Sequence, residues 1–141
     1  MLHFSSRLFF WLYVATLLLV GSGGVLFARQ ELASIYHLDL QQNLILVTET
    51  AQANFLNQYR FLKASELGIG IFCVVFWRDI FCTGRLHTVF LSIVAVGVFA
   101  RVWSLLHDGM PQPMFIGFLL FELATGLLVF IAARKNNSGR L

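Results

Sequence analysis

A chain of 141 residues that is 58% hydrophobic and only 12% charged, with a mean hydropathy of +0.78, lies far from the soluble average of about 25% charged residues. That composition excludes a water-soluble globular domain and points to a single integral membrane domain over residues 1–141. The formal net charge of +3 does not point to nucleic acid, because the cations stand scattered at the ends of apolar blocks and form no basic stripe.

The first apolar block, 8–28, has the roughly 20 residues that a helix rising 1.5 Å per residue needs to cross about 30 Å of hydrocarbon. Arg7 and the small stretch Gly21-Ser22-Gly23-Gly24 imitate a secretory signal, but the apolar run resumes over 25–28, which favours a retained helix. Residues 29–58 follow as a long external segment, too polar to span, in which Thr48 or Thr50 is placed to N-cap the second helix.

The second block, 61–77, is purely apolar only from Leu67 onward, with Lys63 and Glu66 near its start. Cys73 and Cys82 lack CxxC spacing and read as packing thiols. The third block, 86–106, and the fourth, 114–133, are joined by Asp108-Gly109-Met110-Pro111-Gln112-Pro113, a turn in which Gly ends one helix and Pro starts the next.

Continuous apolar runs exclude a barrel, and helices are then the spanning structure that satisfies its own backbone. The predicted fold is all-α: a four-helix transmembrane bundle, spans about 8–28, 61–77, 86–106 and 114–133. Arg7, Arg78, Arg85, Arg134, Lys135 and Arg140 collect on one side, against Arg29, Arg60 and Lys63 diluted by Glu31, Asp39 and Glu49 on the other. The positive-inside rule then makes both termini cytoplasmic, N-in/C-in.

Ionisable side chains within spans cost about 2.5–3.5 kcal/mol at the centre on insertion scales, so each requires a partner, water or a role. Glu66, Arg101 and Glu122 lie about 8, 8 and 12 Å from the external ends of their spans. Arg101 shares its helix face with Gly97, Ser104 and Asp108, and Glu122 shares its face with Phe118, Thr125 and Gly126. A polar cluster of Arg60, Glu66, Arg101, Ser104, Asp108 and Glu122 is expected under the external surface, with Arg101 facing Glu122 across a tight helical hairpin. Lys63 and Arg60 are expected to snorkel to the interface. The four histidines are spread over both sides, so neither a metal site nor a catalytic residue set is expected.

Tyr59-Arg60, Gly68, Gly70, Arg101-Val102-Trp103-Ser104, the 108–113 turn and Glu122-Leu123 together resemble a family of small four-helix bacterial inner-membrane proteins known as a domain of unknown function. The resemblance covers the second to fourth blocks and implies that Arg60, Arg101, Ser104, Asp108, Gly109, Pro111, Pro113 and Glu122 occupy characteristic positions. Glu66 stands where a small or apolar residue is more usual in that family. The family is remotely similar to DoxX-like membrane proteins, some of them linked to quinone-dependent oxidation.

Three functions fit the sequence; the last of them needs a cofactor, and the residues identify no ligand set for one. One is a non-enzymatic membrane protein that binds a small amphiphile, a lipid or quinone, or a partner helix or second copy, through the external polar cluster. Another is a small oligomeric proton- or cation-coupled transporter using Glu122 or Glu66. The last is the membrane subunit of a quinone-linked oxidoreductase.

Overall fold

The computed structural model describes residues 2–36 and 49–138. The described residues form six α-helices: α1 Leu2–Leu26, α2 Ala28–Tyr36, α3 Glu49–Val75, α4 Trp77–Ile80, α5 Arg85–His107 and α6 Pro113–Ser138. The all-α expectation holds, and the four-helix transmembrane bundle does not.

Three helices are long and apolar enough to cross a membrane: Phe4–Leu26, Arg85–His107 and Pro113–Asn137, with mean hydropathies of 1.9, 2.2 and 2.3. They mark the chain as a membrane protein. The block expected as a span over 61–77 is divided between α3 and α4. α3 has ample length at 27 residues, but Arg60, Lys63 and Glu66 occupy its middle, and the uninterrupted apolar stretch that follows is too short to cross hydrocarbon. Phe76, at φ −107° and ψ 19°, then breaks the helix. The inference that both termini share one side depended on an even number of spans and falls with it.

The expected external segment is largely helical where it is described, as α2 and the first turns of α3. Thr50 lies inside α3, past its first residue, and so is not its N-cap; Thr48, His37, Asp39 and Arg140 lie outside the described residues. The chain bends at Phe27 without losing its hydrogen-bond ladder, because Phe27 N–H donates to Gly23 O at 2.7 Å and Glu31 N–H to Phe27 O at 2.9 Å.

Two compact units divide the chain, one of Met1–Val14 with Cys73–Leu141 and one of Ala15–Phe72. In the first, Phe10 and Phe90 are fully buried. Phe10 stands edge-on to Phe81 and Phe90, with ring centroids at 5.2 and 5.7 Å, and Tyr13 meets Phe90 and Phe121 in the same manner. Between lipid and protein there is little hydrophobic difference, so such edge contacts and close backbone approach carry helix association. Gly126 supplies that approach: a Cβ there would lie 3.1 Å from Val94 Cγ1.

The α4–α5 corner is fixed by side chains that satisfy helix-end carbonyls. His87 Nδ1–H donates to Ile80 O at 2.6 Å, and Asn136 Nδ2 to Phe81 O at 3.2 Å. At the other end, Asp108 N–H returns to Ser104 O at 2.7 Å, Gly109 adopts φ +95°, and Pro113 opens α6, where a missing N–H is harmless. A side chain at Gly109 would strain this reversal.

In the second unit, Gly21 and Gly70 set the packing of α1 on α3. A Cβ on Gly21 would lie 2.7 Å from Leu67 N, and one on Gly70 would lie 2.9 Å from Leu18 Cδ2. Ala28 and Leu32 of α2 pack with Leu56 and Tyr59 of α3 in a buried cluster.

Candidate functional site

The first unit carries a charge pair between two of the membrane-capable helices. Arg101 on α5 and Glu122 on α6 meet through two contacts, Nε–H to Oε2 at 2.9 Å and Nη2–H to Oε1 at 3.1 Å. The planar guanidinium matches a carboxylate in this forked geometry, the strongest form of charge-assisted hydrogen bond between side chains. The pair forms because the short 108–112 turn makes α5 and α6 antiparallel neighbours. Counted from that turn, the two residues stand about 9 and 14 Å along their helices, a difference an Arg side chain bridges.

The two partners differ in exposure. The carboxylate side chain is 15% exposed and the guanidinium side chain 34%. Arg101 also lies over the Phe118 ring, 5.9 Å from its centroid. Gly97 faces the carboxylate, since a Cβ there would come within 3.7 Å of Glu122 Oε2, an ordinary contact. A partly exposed cation is thus held by an acid and an aromatic face on helices that are otherwise apolar.

Ser104 and Asp108 join each other: Ser104 Oγ donates to Asp108 Oδ2 at 2.7 Å, on an exposed surface at the end of α5. Trp103 and His107 stack nearby, with ring centroids 4.0 Å apart and planes 17° apart.

The second unit places Arg60 and Glu66 on α3. Arg60 is exposed. Glu66 accepts from Lys63 Nζ at 3.1 Å. Lys63 is the surprise, because snorkelling was expected and the side chain is only 6% exposed. It is held between Glu66 and Glu31, the latter at 3.6 Å, and it lies 5.5 Å from the centre of the Tyr59 ring. A buried ammonium demands compensation, and two carboxylates provide it.

Glu31 was not among the expected site residues. It stands in α2 on the side shared with Ala28 and Leu32, and its Oε2 is buried without a hydrogen-bond partner. Its only signal in the sequence is an acidic residue three positions after a small one, in a stretch otherwise read as a surface cap. The glycine at position 24 makes room for it: a Cβ there would lie 2.3 Å from Lys63 Cγ and 2.7 Å from Glu31 Oε2.

The two clusters have different charge balance. Arg101 and Glu122 cancel, whereas Lys63 faces two acids. The first arrangement suits recognition of a polar group by a neutral but strongly dipolar pair; the second leaves one more carboxylate than cation in a buried setting.

Among known protein families, one described as a domain of unknown function (DUF4345) matches residues 5–133. No curated protein and no solved structure matches the chain.

Proposed function

The chain belongs to the DUF4345 family, and on that premise we propose that it is a non-enzymatic membrane protein, of a bacterial inner membrane, whose Arg101–Glu122 pair binds the polar head of a small amphiphile. The observation that carries this reading is the guanidinium left one-third exposed on an apolar helix while its carboxylate partner is nearly covered. A cation at this depth facing lipid is costly unless something polar meets it. Val98 and Leu105, about one turn before and after Arg101 and half-buried, offer apolar surface on the same face of α5 to the rest of such a molecule. A lipid headgroup phosphate or a quinone carbonyl has acceptors suited to a guanidinium, which carries five N–H donors.

Gentle purification followed by native mass spectrometry tests it. An amphiphile is expected to be retained by the wild-type protein and lost from Arg101→Leu/Glu122→Leu. Retention of no amphiphile, or equal retention by the variant, overturns the reading. A retained second copy or foreign helix in its place would assign the pair to helix association, for which α5 and α6 leave most of their surface uncovered.

A coupled-transport reading draws on a separate observation, the excess carboxylate around Lys63. It places the coupling residue at Glu31 or Glu66, because Glu122 is held by Arg101 in both of its oxygens. Proteoliposome flux unchanged by Glu31→Gln and by Glu66→Gln would remove it.

A further inference from the structure

One end of the first unit gathers cations from four helices. Arg7 lies one turn before Phe10, whose ring meets Phe81 at 5.2 Å. Arg78 belongs to α4, and Arg85 opens α5 directly after the corner. Arg134 and Lys135 precede Asn136, which reaches Phe81 O at 3.2 Å. All five are exposed. Segments 2–14, 76–88 and 128–138 contain these five cations and a single acid, Asp79. The opposite end of the same unit is different in kind, with Arg101 paired to Glu122 and Asp108 accepting from Ser104.

Aromatic rings accompany the cations. Arg78 lies 5.4 Å from the centre of the Trp77 ring, and Arg134 lies 4.6 Å from that of Phe130. Trp77 in turn neighbours Trp11, with centroids at 6.1 Å, and Trp11 and Phe130 are both exposed. An aromatic face attracts a cation without neutralising it. Trp77 stands at the corner that leads into α5, and Trp11 about two turns into α1; indoles near the ends of membrane-crossing helices favour the boundary between lipid headgroups and acyl chains.

The geometry points to this end as a binding surface for anionic phospholipid headgroups, with Arg78, Arg85, Arg134 and Lys135 meeting the phosphates and Trp11 and Trp77 lying among the upper acyl chains. Charge complementarity selects the lipid: a zwitterionic headgroup carries its own cation and gains little from a surface of this sign. The surface is separate from the Arg101–Glu122 pair, so either reading stands without the other.

The test uses the full chain in a neutral detergent, titrated with phosphatidylglycerol and, separately, phosphatidylcholine, with bound lipids counted by native mass spectrometry. The wild-type protein is expected to prefer phosphatidylglycerol by at least about tenfold, each cation removed lowering that affinity by about fivefold. Arg78→Gln/Arg85→Gln/Arg134→Gln/Lys135→Gln should abolish the preference, whereas Arg78→Lys/Arg85→Lys/Arg134→Lys and, in the second unit, Arg29→Gln/Arg60→Gln should keep it. Should the quadruple variant lose its helical circular dichroism, the single exposed-site variant Arg85→Gln decides, with the fivefold fall expected. Equal binding of the two lipids, or wild-type preference in the charge-removed variant, overturns the proposal.

Discussion

Arg101 holds both carboxylate oxygens of Glu122 across the α5–α6 hairpin, a contact between residues 21 positions apart. Removing either partner strands the other in an apolar setting, at about 3–5 kcal/mol for a buried pair. Replacing both removes the need for compensation. Arg101→Leu and Glu122→Leu are therefore each expected to lower the detergent melting temperature, and the double substitution to lower it by less than their sum. A coupling of about 1–3 kcal/mol in the double-mutant cycle is expected; strict additivity would count against the pair.

Lys63 should be the most sensitive residue of the second unit. Lys63→Met leaves Glu31 and Glu66 facing each other without a cation and is expected to destabilise by about 3–5 kcal/mol. Adding Glu31→Gln to it should recover part of that loss. Because Lys63 and Glu31 are sheltered from water, added salt should change the difference little. A marginal effect of Lys63→Met in thermal unfolding would show that the lysine escapes to solvent.

Neighbouring glycines of α1 should respond in opposite directions. A Cβ at position 21 meets the backbone of Leu67 at 2.7 Å, which no rotamer change relieves, while one at position 23 meets nothing within 4 Å. Gly21→Ala is expected to cost about 1–3 kcal/mol. Gly23→Ala should be neutral or stabilising by up to about 1 kcal/mol, the helix propensity difference. Thermal unfolding of the two variants in one detergent decides it.

The two cysteines should separate under alkylation. Cys73 is fully buried and Cys82 exposed, so a maleimide should modify Cys82 while Cys73 stays intact, access being a condition of thiol reactivity. Denaturation in dodecyl sulfate should equalise them. Early labelling of Cys73, read by mass spectrometry of the peptides, would contradict its burial.

The helices that the sequence reads well are those with chemical punctuation. α5 and α6 begin and end within a few residues of the expected blocks, because Gly84, Asp108-Gly109 and Pro113 interrupt continuous apolar runs. The second expected span, 61–77, fails for a compositional reason: the apolar stretch after Lys63 and Glu66 is short, and the helix breaks at Phe76. The α1–α2 bend left no mark, since its hydrogen bonds continue through Phe27. Arg101 and Glu122 were legible as partners because a short turn fixes which helices adjoin. Glu31 was not legible as the partner of Lys63, because their meeting depends on how α2 folds back onto α3, and no local pattern encodes that.

The order in which the hairpin emerges from the ribosome gives the 108–113 turn a role in membrane entry. Arg101 is synthesised well before Glu122, so α5 alone would present its guanidinium to lipid uncompensated, at a cost of up to about 2.5–3.5 kcal/mol. A reversal this short lets the acid arrive before the first helix has to leave the insertion machinery, and the two helices then partition together as a charge-neutral unit. Lengthening the turn would delay that neutralisation.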